Sequence, residues 1–211
     1  VNAEALTKEL ARGRAESPPS NPLLALAAEG RVTVDHLRRL VTVERTYHHA
    51  ELVAYGELLT RFPHPPAAGF LVEVAGVVDE ARTALAVVAE RLGEPPDLGD
   101  DLAAHAFCGY VSWLALHGSQ AGMALSLYSD PDGVYYGGAV ELVRLLDEYG
   151  VTVPEEFTAY YGNGPAPLLT ETAAAVVDDG LARGDNPGEA LRAARLCDRY
   201  MALLWTAAAR T

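Results

Sequence analysis

Glu44 and His48 stand one helical turn apart in a stretch where Leu37, Leu40, Val41, Glu44, Tyr47, His48, Glu51, Tyr55, Leu58 and Leu59 recur at steps of three and four. Residues so spaced share one face of a helix, and a face this apolar at both ends is one that folding buries. The middle of the stripe is polar, with Tyr47 and Tyr55 close to the carboxylate and the imidazole. A buried carboxylate has to find a partner or take up a proton, because an unpaired charge away from water costs several kcal/mol or more. Two readings follow for Glu44: it faces an internal pocket as a ligand-recognising or acid/base group, or it pairs with Arg45 or a tyrosine and is structural.

Asp198 is the second candidate acid/base group. It interrupts the face formed by Leu191, Ala194, Met201 and Trp205, with Arg195 and Arg199 beside it as candidate partners in a surface ion pair. Glu80 borders the stripe of Leu71, Val74, Val77, Val78, Ala81 and Leu85 and is expected to be solvated. His105 and His117 lie near Phe107, Tyr110 and Trp113, where a histidine among aromatic rings is more often a packing residue than a ligand. Tyr135/Tyr136 and Tyr160/Tyr161 adjoin glycine-containing turns, where rings cover a pocket mouth or pack into the core. Phe107, Tyr110, Tyr135 and Trp205 therefore join Tyr47, His48 and Tyr55 as candidate ligand contacts.

A metal site in a helical bundle uses carboxylates from several helices together with Glu-x-x-His or a similar repeat that grips one ion from adjacent turns. Glu80 is followed three residues later by Thr83 and Asp198 four later by Ala202, so histidine is absent where a second ligand is wanted and no metal is expected. CxxC, Walker, GxGxxG and GxSxG motifs are absent as well, and no cofactor is expected.

The elements that must position these groups are all helical. Asn, Ser, Thr or Asp opens most segments and Gly or Pro closes them. The predicted helices cover about Ala3–Glu16, a short run from Pro22 with Gly30 just past its end, Thr33–Arg61, Ala67–Leu92, a fifth that starts after Asp100 and reaches Gly118, Ser119–Tyr128, Val134–Tyr149, a brief Pro154–Tyr161, Ala166–Arg183 and Gly188–Arg210 after an Asn186 cap. No strand-like alternation, fixed-period repeat or Ser/Gly-rich linker divides the series, which predicts one all-α domain over residues 1–211 with helices around a shared core or cavity.

Composition narrows the partners. The 211 residues are half hydrophobic, yet no run is long enough to span a bilayer. A formal net charge of −13 without a Lys/Arg cluster argues against nucleic acid, which needs clustered cations to displace phosphate counterions. The opening residues lack the apolar stretch of a secretory signal, so a cytoplasmic protein is expected. Cys108 and Cys197 both sit in apolar helical stretches, where a cysteine behaves as a small hydrophobe, and no disulfide between them is expected.

The segments NPLLALAAEG and TVDHLRRLVTVERTYHHAELVAYGELL resemble the opening of TenA-type proteins, and the likeness extends loosely over most of the chain. The resemblance implies the heme-oxygenase-like fold, a helical bundle around an internal pocket, and association into homo-oligomers. It further implies that Glu44, with Tyr47 three residues on, occupies the place of the carboxylate that binds the ligand's aminopyrimidine, here glutamate in place of aspartate. The nucleophilic cysteine of the family's thiaminase members aligns with Ser129 and Asp130, Asp130 becoming a candidate ligand contact. Phe107 stands where a tyrosine assists that cysteine, and Asp198 with Leu204-Trp205 partly echoes the family's C-terminal Glu and Phe-Trp. A TenA-like protein acting on a nitrogen heterocycle or thiamin-related metabolite without a cysteine nucleophile is the leading expectation. The alternatives are a non-haem diiron oxidase with an altered ligand set drawn from Glu44, His48, Glu80 and Asp198, and a non-catalytic binding protein descended from an enzyme.

Overall fold

The computed structural model describes residues 1–127, 134–164 and 167–210. Among them the chain is all-helical: α1 (Ala3–Glu16), α2 (Pro22–Ala28), α3 (Val34–Arg61), α4 (Ala67–Leu92), α5 (Leu102–His117), α6 (Gln120–Leu127), α7 (Tyr136–Glu148), α8 (Glu155–Tyr161), α9 (Pro167–Ala182) and α10 (Pro187–Ala208). No helix of the described residues is long and apolar enough to cross a membrane.

The caps explain the boundaries. Side chains of Asn2, Asn21, Asp101 and Asn186 accept from backbone N–H groups in the first turns of α1, α2, α5 and α10, satisfying donors that have no partner inside a helix. Pro22 and Pro187 take first-turn positions, where the missing N–H costs nothing. At α3 the reciprocal bond comes from an unexpected side chain, since the Thr33 backbone N–H donates to Nδ1 of His36 at 3.0 Å.

Helix α3, 28 residues long, is the axis of the bundle and packs against α4, α5 and α10. Three of its arginines cap the C-termini of those neighbours. Arg38 donates to the Leu92 carbonyl at the end of α4 at 2.7 Å, and Arg39 to the Ala207 carbonyl of α10 at 2.7 Å. Arg61 donates to the carbonyls of Ala115 and Gly118 at the end of α5, at 2.5 and 2.8 Å. Each bond satisfies a terminal carbonyl and places a cation at the negative end of a helix dipole. Around this axis α6 lies between α9 and α10, α1 crosses α9 and α10, and the short α8 bridges α4 and α7.

The stripe expected to be buried on α3 is buried. Leu37, Leu40, Val41, Glu44, Tyr47, His48, Tyr55 and Leu58 are nearly inaccessible, while Glu51 and Leu59 keep some surface. Both cysteines are unpaired, Cys197 buried and Cys108 half-buried with its thiol directed at the Thr46 carbonyl.

Candidate functional site

The polar middle of α3 lines a half-open cavity of about 710 Å³. Glu44, Tyr47, His48, Glu51 and Tyr55 form one wall, one face of one helix as their spacing requires. Val77, Val78, Ala81, Ala84 and Val87 of α4, with the exposed Glu80 among them, form a mainly apolar wall, and Phe107 of α5 with Cys197, Asp198 and Met201 of α10 continue the lining. Tyr135 and Tyr136 at the start of α7, and Tyr160 and Tyr161 at the end of α8, close the remaining side.

Glu44 is 3% exposed and holds the centre of a tyrosine cluster. Tyr160 donates to its Oε1 at 2.8 Å and Tyr161 to its Oε2 at 2.7 Å, while Tyr135 also donates to Oε1. Burial, with the Glu44 charge adding to it, pushes the phenol pKa values of Tyr135 and Tyr161 well above the usual 10, so both remain donors throughout the physiological range. The partner of Glu44 is therefore a set of tyrosines, not Arg45, which is exposed. Each hydrogen bond to a charged acceptor contributes about 1.5–3 kcal/mol, and three together offset the several kcal/mol of desolvation that burying a carboxylate costs.

His48 is buried beside this cluster, its Nε2 3.6 Å from Oε1 of Glu44 and 3.3 Å from the Tyr160 hydroxyl. Burial depresses its pKa below 6.5, overriding the opposing pull of Glu44, so the ring is neutral at pH 7. Because Tyr160 gives its one proton to Glu44, the hydrogen-bond pattern assigns the imidazole hydrogen to Nε2. Nδ1 is then a bare acceptor, and it is buried without a partner.

Glu51, seven residues after Glu44 on the same face, is the feature that sequence reasoning passed over. It was one member of the stripe and no more, yet it lines the cavity. Its carboxyl accepts a long 3.4 Å hydrogen bond from Tyr55. Burial first, and the Glu44 charge second, push its pKa up to about 8. A carboxyl that exchanges its proton near neutral pH suits general acid/base work.

Asp198 does line the cavity, but its partner differs from the expected neighbours. Arg14 of α1 grips it with two bonds, Nε to Oδ2 at 2.9 Å and Nη2 to Oδ1 at 2.6 Å, while Arg195 pairs with Glu9 at 2.9 Å. Sequence proximity could not show this, because α1 reaches Asp198 from the other end of the chain. The bidentate pair neutralises Asp198 and commits both of its oxygens.

The remaining expected contacts divide. Tyr47, His48, Tyr55, Phe107 and Tyr135 are brought to the cavity. Tyr110 and Trp205 lie behind its described lining: Tyr110 donates to the Ala193 carbonyl at 2.9 Å and stacks on Tyr200, and Trp205 donates to the Val134 carbonyl at 3.1 Å and stacks on Tyr135. Their polar tips are satisfied by backbone, which makes them supports of the wall. Asp130 and Ser129 lie outside the described residues. Among the described lining residues the thiol is Cys197, and burial with Asp198 nearby pushes its pKa up to about 12, so it is protonated and a poor nucleophile at neutral pH.

The four groups weighed as an altered metal set do not assemble. Glu80 is exposed, Asp198 is bound by Arg14, and among the described residues no three His, Cys, Asp or Glu side chains gather closely enough to hold a metal ion. No known protein family, curated protein or solved structure matches the chain.

Proposed function

We propose that this chain binds, and as an enzyme would transform, a nitrogen-containing cation such as a protonated heterocycle, in a heme-oxygenase-like bundle of the TenA type and without a cysteine nucleophile. The observation that carries the reading is the Glu44 carboxylate, buried in the wall of a ligand-sized cavity and held there by three phenol hydroxyls. A structural carboxylate is normally matched by a cation. Here the basic group within reach of Glu44 among the described residues is His48, whose ring is neutral and forms no ion pair, and the cavity's guanidinium, Arg14, is already bound to Asp198. The site consequently carries uncompensated negative charge between aromatic faces, and both features attract an organic cation.

Three elements of chemistry follow for such a ligand. The tyrosine-clamped Glu44 fixes the cationic nitrogen, Val77, Val78 and Ala81 of α4 give the ring an apolar surface to lie against, and Glu51 gives or takes a proton. Volume agrees, since pockets of about 300–1,000 Å³ suit small metabolites. The resemblance of residues 21–59 to TenA-type proteins points to the same nitrogen heterocycles.

Calorimetric titration with thiamin and with 4-aminopyrimidine tests this. Saturable binding to the native protein, weakened at least about tenfold in Glu44→Gln, corresponds to the loss of about 1.4 kcal/mol expected when a charged acceptor becomes a neutral amide. Binding equal in the two proteins, with both folded by circular dichroism, would sink the proposal.

A further inference from the structure

Glu44 and Glu51 are not equivalent, and the difference bears on the shape of the ligand. Both Glu44 oxygens already accept hydroxyl protons, so its remaining capacity is small and directed. Glu51 accepts a single long bond from a tyrosine on its own helix. The two carboxyls project from the same face of α3, and seven residues of helix separate their Cα atoms by about 10.5 Å. His48 lies between them with its Nδ1 lone pair buried and unpartnered. The strip from Glu44 to Glu51 thus has acceptors at both ends and an unsatisfied acceptor in the middle, facing the hydrocarbon of Val77, Val78 and Ala81.

Resting on the reading of the cavity as a cation site, we propose that its ligand is elongated and carries two separated nitrogen groups, one held by Glu44 within the tyrosine cluster and a second donating to Glu51. The chemical class is a diamine, or an amine-bearing nitrogen heterocycle with a second basic group at its far end. A ligand with one polar end would cover the half-buried Glu51 without giving it a strong donor, and a hydrogen bond left unmade at an acceptor cut off from water costs more than a made one gains. A second cation at that end also opposes the burial and, after it, the Glu44 charge that keep a proton on Glu51 at neutral pH. Hydrocarbon between the two nitrogens matches the mainly apolar α4 wall, whereas a polar linker would be desolvated there without partners.

The experiment is a calorimetric series of n-alkylamines and α,ω-diamines of matched carbon number against the native protein, Glu51→Gln and Glu44→Gln. At one optimal chain length the diamine is expected to bind at least about tenfold more tightly than its matched monoamine, with weaker gains on either side. In Glu51→Gln the diamine-to-monoamine ratio should fall to near one, and in Glu44→Gln both amines should weaken. Gln has the shape of the protonated glutamate, so the variant keeps the wall intact. Two results overturn two-point recognition while leaving a cation site standing: monoamines that bind as well as every diamine, or a diamine advantage that survives in Glu51→Gln. Failure of every amine to bind the native protein overturns both this proposal and the reading beneath it.

Discussion

Replacing Glu51 by glutamine should make the protein more stable as the pH rises, and the size of the gain follows from the cavity. In the folded chain this carboxyl keeps its proton up to about pH 8, against an ordinary value of 4.5. Between those two values the folded state binds a proton that the unfolded chain has released, so unfolding stability falls with rising pH and levels off above about pH 8. At about 1.4 kcal/mol per pH unit the full gap corresponds to about 4–5 kcal/mol. Glu51 keeps some accessible surface on the cavity wall, where water screens part of the cost, and about 2 kcal/mol is the expected remainder. Glutamine mimics the protonated form and has nothing to lose. Urea denaturation of both proteins from about pH 5 to about pH 9 should therefore show a stability difference close to zero at the acid end that grows to about 2 kcal/mol in favour of Glu51→Gln at the alkaline end. A difference that is flat with pH, or that favours the native protein as pH rises, would refute both the burial of this carboxyl and its coupling to Glu44.

Two further substitutions test the packing that supports the site. Tyr161→Phe deletes the donor to Oε2 of Glu44 and should cost about 1.5–3 kcal/mol in denaturant unfolding, because a charged acceptor is left short of a partner; a neutral result would mean that the carboxylate is solvated. Gly180→Ala places a methyl 2.8 Å from the backbone nitrogen of Ala121 and 2.7 Å from Oδ2 of Asp185, where α9 meets α6, and should cost about 1–3 kcal/mol. The matched control Gly76→Ala meets nothing within 4 Å and should gain about 0.5–1 kcal/mol from helix propensity alone, so equal effects at the two positions would contradict the close approach of α9 to α6.

The helices were legible because their ends are written in local chemistry. Asn2, Asn21 and Asn186 cap through their own side chains, and the Pro63–Pro66 and Pro95–Pro96 runs cannot continue a helix. The phase of α3 was legible for a related reason: at 28 residues it repeats its pattern through nearly eight turns, and an error of one position would have exposed its leucines. Short elements gave less to read. The start of α7 at Tyr136, two residues later than the predicted Val134, shows how weakly a terminus without a polar cap is marked. Its preceding residue, Tyr135, supplies no capping bond.

Glu44 could be singled out because a carboxylate on an apolar stripe violates the pattern around it, and the tyrosine pairs because they sit beside turns. What joined them could not be read, since Tyr135 and Tyr161 reach Glu44 from 91 and 117 residues away, and no local period encodes which distant tyrosines extend to α3. The same limit hid Arg14, whose bond to Asp198 spans 184 residues. Arg195 and Arg199 looked like its partners only because neighbours in sequence are the ones that spacing can see. Glu51 was missed for the opposite reason: it was visible in the stripe, but what sets it apart is the cavity beside it and the charge of Glu44 two turns away, and both are properties of the assembled fold. Two carboxyls on one helix face read alike in sequence, and only their surroundings divide them into one clamped by three hydroxyls and one that holds a proton with a single long bond from Tyr55. That division, more than either residue alone, is what makes this wall of the cavity chemically directional.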